Sequence, residues 1–228
     1  MKLREKTFAA LAAMIVAMAV SVLFTIRFFY AASVQTVEHG EAEDAVRRLG
    51  LLMDEDLRQL DILCRDWAYW DDTYRFVSGG APDFLSVNLA DGETIDMLEL
   101  SGMTIRDASG AIRYQYEQSD GLMDSAIGQS GAADRTMMRD GAAGLVIAPD
   151  GIHLTSMKPI LMSNLGGPPR GIVVMTRPVN DARLQRYAMI VGRSIQMHPA
   201  PADGSRGARP DGGVTMETDD AEVRATVD

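Results

Sequence analysis

The sequence predicts an α+β protein with an N-terminal transmembrane helix that continues into a long stalk helix packed on an antiparallel sheet. Two observations support this fold class. Apolar residues recur every three or four positions from Ala42 to Cys64, which is the spacing of one helix face. Downstream, pairs of short apolar segments are separated by turns that contain glycine or proline, which is typical of hairpins. Because helix and hairpins occupy separate stretches, we expect the helix to lie against the sheet.

The N-terminal segment is apolar enough by sequence to cross a membrane. Thr7 to Ile26 contains no charged residue, and a helix of about twenty residues spans roughly the 30 Å of a bilayer core. Basic residues favour the cytoplasmic side of a membrane, and three of them precede the segment: Lys2, Arg4 and Lys6. We therefore predict a cytoplasmic N-terminus at residues 1–6 and a signal anchor at residues 7–30.

A cleaved signal peptide is the alternative for this segment. Ala31, Ala32 and Ser33 are small enough for a cleavage site. The apolar core of a signal peptide usually has about 7–15 residues, so the longer run favours an uncleaved, single-pass anchor in the inner (plasma) membrane. Both interpretations put residues 31–197 outside the cytoplasm, as a periplasmic or extracellular domain.

The helical stripe belongs to a proline-free stretch from Ser33 to Phe76. The stripe could pair with the same helix of a second chain, or it could cover the sheet of its own chain. We expect its second half to be buried in its own domain, whereas its first half leaves room for a homodimer contact. Cys64 lies on the stripe and is expected to be a buried core thiol.

Hairpins and short helices are expected in the remainder of the domain. Gly110 lies in a predicted turn that requires a positive φ. The predicted hairpins pair residues 105–107 with 112–116, 144–148 with 152–158, and 159–162 with 171–176. Residues 119–144 are expected to form a loop with a short helix, and residues 181–196 a further helix. Residues 198–228 are polar and rich in proline and glycine, which predicts a flexible segment with short strands after Val214.

The most unusual stretch begins at Asp66 and ends at Val77. It holds both tryptophans of the chain, two of its tyrosines and three aspartates. On a continuous helix, Trp67, Trp70, Asp71 and Tyr74 would share one face. Aromatic rings and carboxylates together can bind a cationic or amino-bearing ligand, through cation–π attraction and charge-assisted hydrogen bonds. The candidate ligand-binding residues are Asp66, Trp67, Trp70, Asp71, Asp72 and Tyr74.

Two other interpretations of this stretch stay open. The rings could cap a small core while the aspartates bond loop amides, which would make the cluster structural. The aspartates could instead be catalytic or metal-binding carboxylates, but the sequence offers them no partner, since His39, His153 and His198 are far apart in sequence. We predict no catalytic residue, no metal site and no cofactor.

Charge argues against one class of partner. The 22 Lys and Arg residues are outnumbered by 32 Asp and Glu residues, for a net charge of −10. Because phosphate contacts need basic patches, we expect no binding to nucleic acid. The single cysteine excludes an intrachain disulfide.

The same unusual stretch resembles a known family. The pattern Asp66-x-Ala68-x-Trp70-Asp71-Asp72-x-Tyr74-x-Phe76-Val77 is similar to that of the fourth class of CHASE domains, which are extracellular sensory domains of cyclases and histidine kinases. Segments 103–110, 158–160 and 171–177 resemble later strands of that family, although Thr176 replaces a common glycine. Asn88 stands where the family tends to carry an asparagine, and it joins the ligand-binding candidates.

This resemblance implies a sensor with a PAS-like or Cache-like sheet that detects an unknown small extracytoplasmic ligand. In the family, a second span and a cytoplasmic output domain follow: a diguanylate cyclase (GGDEF) or phosphodiesterase, or a histidine kinase. Among these we expect cyclic-di-nucleotide signalling, and we expect this chain to be truncated and without enzymatic activity of its own. The alternative is a membrane-anchored structural or interaction protein that binds no small molecule.

Overall fold

The computed structural model describes residues 3–90, 92–129, 141–199, 214–218 and 221–225. It confirms an α+β fold with a five-stranded antiparallel sheet. The chain divides into two compact units, Met1–Ala45 and Val46–Asp228. The sheet and all the site residues discussed below belong to the second unit.

The described helices and strands follow one another in this order. The helices are α1 (Leu3–Ala68), α2 (Asp71–Val77), α3 (Phe84–Asn88), α4 (Glu93–Met97), α5 (Leu122–Gln129) and α6 (Asp181–Val191). The strands are β1 (Gly102–Asp107), β2 (Ile112–Glu117), β3 (Ala142–Ala148), β4 (Gly151–Pro159), β5 (Gly171–Pro178), β6 (Gln196–Pro199), β7 (Val214–Thr218) and β8 (Ala221–Ala225).

Helix α1 includes both the predicted N-terminal segment and the predicted stalk. Among the described residues, however, no helix has both the length and the hydropathy needed to cross a membrane. The transmembrane part of the predicted fold class is therefore not supported. In the second unit, α1 buries Leu49, Met53, Leu60 and Cys64, which confirms that the second half of the stripe packs in its own domain. The side chains of residues 28–43, where a dimer contact was expected, lie outside the described residues.

The five-stranded sheet has the order β2-β1-β5-β4-β3, with every neighbouring pair antiparallel. Alternate side chains of a strand point to opposite faces, and the central strand β5 uses both of its faces. Val173 and Met175 join the core formed with α1, whereas Ile172 and Val174 join a second core with α5. This double burial explains why β5 is apolar at each of these positions.

The predicted hairpins of β1 with β2 and of β3 with β4 are confirmed. Gly110 has the positive φ expected of its turn, at 83°. The third hairpin differs in one strand, because β4 itself pairs with β5 and ends at Pro159. Leu161 then leaves the sheet and donates its backbone N–H to the carbonyl oxygen of Ala68 at 3.1 Å, so residues 160–162 form no strand.

The chain after β5 is only partly as predicted. The helix expected at residues 181–196 is α6, which ends at Val191 because Gly192 adopts a left-handed conformation at its C-terminus. Strands β6, β7 and β8 form a small antiparallel sheet, in line with the short strands expected after Val214. Residues 200–213, where a flexible segment was expected, lie outside the described residues.

A break in the helix is the main departure from the sequence prediction. The helix expected to continue to Phe76 is interrupted, since α1 ends at Ala68 and Trp70 has an extended backbone with φ −88° and ψ 130°. The hydrogen bond from Leu161 occupies the Ala68 carbonyl oxygen. The α2 helix then restarts with Asp71 and Asp72 in its first turn, where carboxylates interact favourably with the helix dipole. The prediction that the aromatic and acidic residues share one helix face is therefore wrong.

Candidate functional site

A surface groove lies beside the helix break. Its volume is about 360 Å³, and its lining consists of Asp66, Trp67, Trp70, Val87, Asn88 and Thr94. The end of α1 supplies the first two residues, the break supplies Trp70, and α3 and α4 supply the others. Four of the seven predicted ligand-binding residues thus meet in one place: Asp66, Trp67, Trp70 and Asn88.

Aromatic rings build one side of the groove. The rings of Trp67 and Trp70 are perpendicular, with centroids 6.0 Å apart. Phe84 of α3 lies against both of them, at 6.4 Å and 5.8 Å, and stacks on Phe76 of α2 at 4.7 Å. Such edge-to-face and offset contacts stabilise each ring in place. The helix break lies between the two indoles, since Trp67 belongs to α1 and Trp70 has the extended backbone.

Short hydrogen bonds fix the polar residues Asn88 and Thr94 of the groove lining. The side-chain amide of Asn88 donates to the carbonyl oxygen of Phe84 at 2.9 Å. The hydroxyl of Thr94 donates to the carbonyl oxygen of Asn88 at 2.9 Å, and so ties α4 to α3. One Asn88 N–H and the Thr94 hydroxyl proton are used within the protein, which leaves the Asn88 amide oxygen and the lone pairs of the Thr94 hydroxyl as acceptors near the groove.

Asp66 is the charged residue of the lining. It is exposed, and within the described part of the chain its carboxylate has no hydrogen bond or ion pair. Within the described residues, no group of three or more His, Cys, Asp or Glu side chains is arranged to hold a metal ion. The groove therefore combines two indole rings, one unpaired carboxylate and two neutral acceptors.

Asp71 lies outside the groove and anchors a loop. One carboxylate oxygen accepts the backbone N–H of Ser163 at 2.8 Å, and the other accepts the Ser163 hydroxyl at 3.0 Å. These two hydrogen bonds from Ser163 lower the pKa of the Asp71 carboxyl. Asp71 thus fixes the β4–β5 loop to the start of α2.

Tyr74 and Asp72 also lie away from the groove. Tyr74 is buried, and its hydroxyl accepts from Arg170 Nε at 3.1 Å and donates to the Pro168 carbonyl oxygen at 3.4 Å. The Arg170 guanidinium also sits 5.9 Å from the Tyr74 ring centroid. Asp72 forms an exposed ion pair with Arg75 one turn along α2. A role of these two residues and of Asp71 in ligand binding stays a prediction.

Sequence reasoning missed a cluster of charges that joins α1 to α6. The Arg183 guanidinium is buried and bonds the carboxylates of Asp56 on α1 and of Glu99, the latter at 2.8 Å. Tyr187 donates its hydroxyl to the same Asp56 oxygen at 2.5 Å. Arg177 of β5 donates to the carbonyl oxygen of Leu98 at 3.0 Å. We name Asp56, Glu99, Arg177, Arg183 and Tyr187 the helix clamp.

Three members of the helix clamp have shifted pKa values. Burial and the nearby charge of Arg183 lower the pKa of Arg177. Burial opposes the charge of Arg183, but the hydrogen bond and charge of Asp56 outweigh it and raise the pKa of the guanidinium. Burial, together with the Asp56 carboxylate, raises the pKa of Tyr187 above its usual range. Asp56 and Arg183 are far apart in sequence and neither belongs to a motif, so no local signal could have paired them.

Two residues noted in the sequence are buried in the core. The Cys64 thiol lies near the carbonyl oxygens of Ser156 and Val173, at 3.5 Å and 3.4 Å, and burial raises its pKa to about 12. This confirms the expected core thiol. His153 is buried between Ser101 and Asp150, at 2.9 Å and 3.0 Å, and so is packed rather than exposed on its strand.

Comparison with known proteins identifies the family. Residues 52–198 match the CHASE4 domain. The chain belongs to the CHASE4 family. The match includes the groove, the helix clamp and the whole five-stranded sheet. The predicted resemblance is therefore confirmed.

A curated relative adds information on the class of protein. The chain is 31% identical over 165 residues to the methanogenesis regulatory histidine kinase FilI of Methanothrix harundinacea. The aligned region covers 68% of this chain and 18% of that kinase, so the chain spans about a fifth of the relative's length. This comparison supports a sensory role in signal transduction and gives no support to a GGDEF output.

Proposed function

We propose that this CHASE4 domain senses a small molecule that binds in the groove between α1, α3 and α4. One observation carries the proposal: the signature motif of the chain is interrupted by a helix break, and the break arranges both tryptophans around an open groove with an unpaired carboxylate. A purely structural aromatic cluster would be expected to close over its rings. Trp70 instead keeps 38% of its surface exposed.

A ligand screen with a blocked groove tests this proposal. In Val87→Tyr, a ring replaces an exposed groove residue, and in the control Ile112→Tyr the same ring is added at an exposed site on β2. We expect compounds that raise the melting temperature of the full chain and of the control, but not of Val87→Tyr, since a ligand at 100 times its Kd stabilises by about 2.7 kcal/mol. If every stabilising compound acts equally on all three proteins, the groove is not the site.

The domain is further proposed to be extracytoplasmic and anchored by the N-terminal segment. The support is the uncharged stretch from Thr7 to Ile26, with basic residues before it. Deletion of this stretch should release the protein from the membrane fraction of expressing cells. A reporter enzyme that is active only outside the cytoplasm should be active when it is fused after Asp228. A deleted chain that stays with the membrane would contradict the anchor.

We also propose a signal output and an assembly for this domain. The similarity to a histidine kinase favours a kinase as the output domain that responds to this CHASE4 domain. Helix shifts in a homodimer formed along the first half of the stalk would carry the signal. Chemical cross-linking of single-cysteine variants placed along residues 33–43, in a Cys64→Ala background, would test this assembly.

A series of contacts connects the groove to α1 and suggests how a bound ligand could affect the packing of this helix. Thr94 lines the groove at the start of α4, and the carbonyl oxygen of Leu98 just after α4 accepts from Arg177. Glu99 then bonds Arg183, which also bonds Asp56 on α1. A ligand that moves Thr94 would therefore bias the helix clamp and the fit of α6 on α1. Hydrogen exchange in α6 should change on ligand binding in the wild type and not in Val87→Tyr.

The second candidate is an anchored interaction protein without a small ligand. The contacts of Asp71 and Tyr74 favour it, because both of these motif residues hold the β4–β5 loop. This candidate requires that Trp70→Ala lowers stability and changes no binding. The blocked-groove screen separates the two functions, since only the sensor has ligands that depend on Val87.

A further inference from the structure

We infer that the ligand of the groove is a small organic cation that carries an ammonium group. This inference rests on the proposed function and specifies the chemistry of its ligand. The groove holds one carboxylate, from Asp66, and no lysine or arginine among its lining residues. A carboxylate with no cationic partner attracts positive charge and repels carboxylate or phosphate ligands.

The neutral polar groups of the groove offer acceptors to an ammonium ligand. Asn88 uses its amide N–H on Phe84, and Thr94 uses its hydroxyl proton on the Asn88 carbonyl oxygen. The Asn88 amide oxygen and the lone pairs of the Thr94 hydroxyl remain as acceptors for a ligand, and the second Asn88 N–H remains as a donor. A ligand with N–H donors can use these two acceptors together with the Asp66 carboxylate.

The tryptophans provide the third part of the argument. Indole is the side chain with the strongest cation–π attraction, and the ring centroids of Trp67 and Trp70 are only 6.0 Å apart at a right angle. Trp67, Trp70 and Asp66 line the same groove, so an organic cation bound there could contact an indole ring and the carboxylate together. Two perpendicular aromatic walls beside a carboxylate fit an alkylated ammonium better than a hydrated metal ion.

Among the described residues, no arginine side chain of the protein pairs with the Asp66 carboxylate. Arg75 is paired with Asp72, and Arg170 is held by the hydroxyl and ring of Tyr74. Arg65 precedes Asp66 on α1, but it is exposed and does not line the groove. The net charge of −10 also makes the chain attractive to cations at long range. The groove thus presents a carboxylate without a lysine or arginine in its lining, on a negatively charged protein.

Tryptophan fluorescence of the full chain tests the inference directly. The chain has two tryptophans and both line the groove, so a change in their emission reports on this site. The full chain would be kept in a maltoside detergent, which carries no charge. The probes are two matched pairs: choline with its neutral isostere 3,3-dimethylbutan-1-ol, and butylammonium with butan-1-ol. The first pair represents quaternary ammonium ligands and the second represents protonated amines.

We expect at least one cation to bind about tenfold or more tightly than its neutral partner, because a charge-assisted contact is lost in the alcohol. Asp66→Asn should remove most of this difference while it keeps the shape of the side chain. The matched control is Asp72→Asn, which removes an equal charge outside the groove and should retain the difference. Circular dichroism would verify that both variants are folded.

Two results would overturn the inference. Equal binding of cation and alcohol, with emission changes in both, would leave the groove as a ligand site but reject the cation. Absence of any response to both cations up to high millimolar concentration would also reject it, while the blocked-groove screen decides the proposed function independently. Equal losses in Asp66→Asn and Asp72→Asn would assign the effect to net charge and not to the groove.

Discussion

Asp56 and Asp66 lie on the same helix, α1, but in opposite chemical surroundings. Asp56 accepts from Arg183 and from the hydroxyl of Tyr187. Asp66 borders two indoles and, among the described residues, has no such partner. A carboxylate whose partners come from a distant helix holds the fold together. One that stands unpaired in an aromatic groove is available to a ligand. This contrast separates stability from binding along one helix.

The largest effect on stability is expected at the helix clamp. Arg183→Ala removes a buried cation and leaves Asp56 and Glu99 without it, so the free energy of unfolding should fall by about 3 kcal/mol. Arg186→Ala is the matched control, because Arg186 is exposed and lies 3.9 Å from the same Glu99 carboxylate; its loss should be below about 0.5 kcal/mol. Urea unfolding measures both. Equal losses would show that burial does not distinguish the two arginines.

Measuring stability against pH tests the buried side of α1, where Cys64 lies. The folded pKa of Cys64 is raised to about 12 from an ordinary 9.0, so the unfolded chain loses this proton first. The contribution of the neutral Cys64 thiol to the free energy of unfolding is complete below pH 9 and is lost as the pH rises toward 12. Between pH 9 and 11 the stability should fall by roughly 2–3 kcal/mol from this group.

Cys64→Ala provides the control for that titration. The variant is less stable overall, because a buried side chain is shortened, but its stability should fall less steeply above pH 9. Tyr187 titrates in both proteins and cancels in the difference. Parallel curves for wild type and variant would contradict the raised pKa of the thiol.

A smaller effect is expected where the motif anchors the β4–β5 loop. Asp71→Asn weakens two hydrogen bonds from Ser163, so the melting temperature should drop by a few degrees, whereas the neighbouring Asp72→Asn should change it very little. The lowered pKa of Asp71 implies that its contribution is present above pH 3.8 and is lost as the pH falls through the folded pKa. Calorimetry of both variants at pH 7 and pH 3 measures the difference.

The smallest effect on stability is expected at the groove. Asp66→Asn should change the free energy of unfolding by less than about 0.5 kcal/mol, since the residue is exposed and unpaired. Its effect on cation binding should be the largest of the carboxylate variants. A marked loss of stability in Asp66→Asn would remove the distinction between the two aspartates of α1.

Local patterns were sufficient for much of the fold. The stripe of α1, the hairpins β1–β2 and β3–β4, and the turn glycine at Gly110 depend on contacts between residues close in sequence or on side-chain periodicity. The same holds for the recognition of the CHASE4 motif, whose residues are nearly contiguous. Of the candidate site, Asp66, Trp67, Trp70 and Asn88 could be named from the sequence and the structure gathers them in one groove.

Other features required the folded chain. At the helix break, Leu161 donates its backbone N–H to the Ala68 carbonyl oxygen from across the domain. A continuous helix was the better prediction from local spacing, because nothing within this stretch disfavours it. The same long-range loop assigned Asp71 and Tyr74 to anchoring contacts.

The sequence by itself determined the core-facing stripe of α1, the hairpins β1–β2 and β3–β4 and the family to which the chain belongs. Only the tertiary structure decided which of the motif's carboxylates are free and which are occupied, and it alone joined Asp56 to Arg183. The physical reason is that periodicity and turn chemistry act over a few residues, whereas the partner of a charge is set by chain segments brought together on folding.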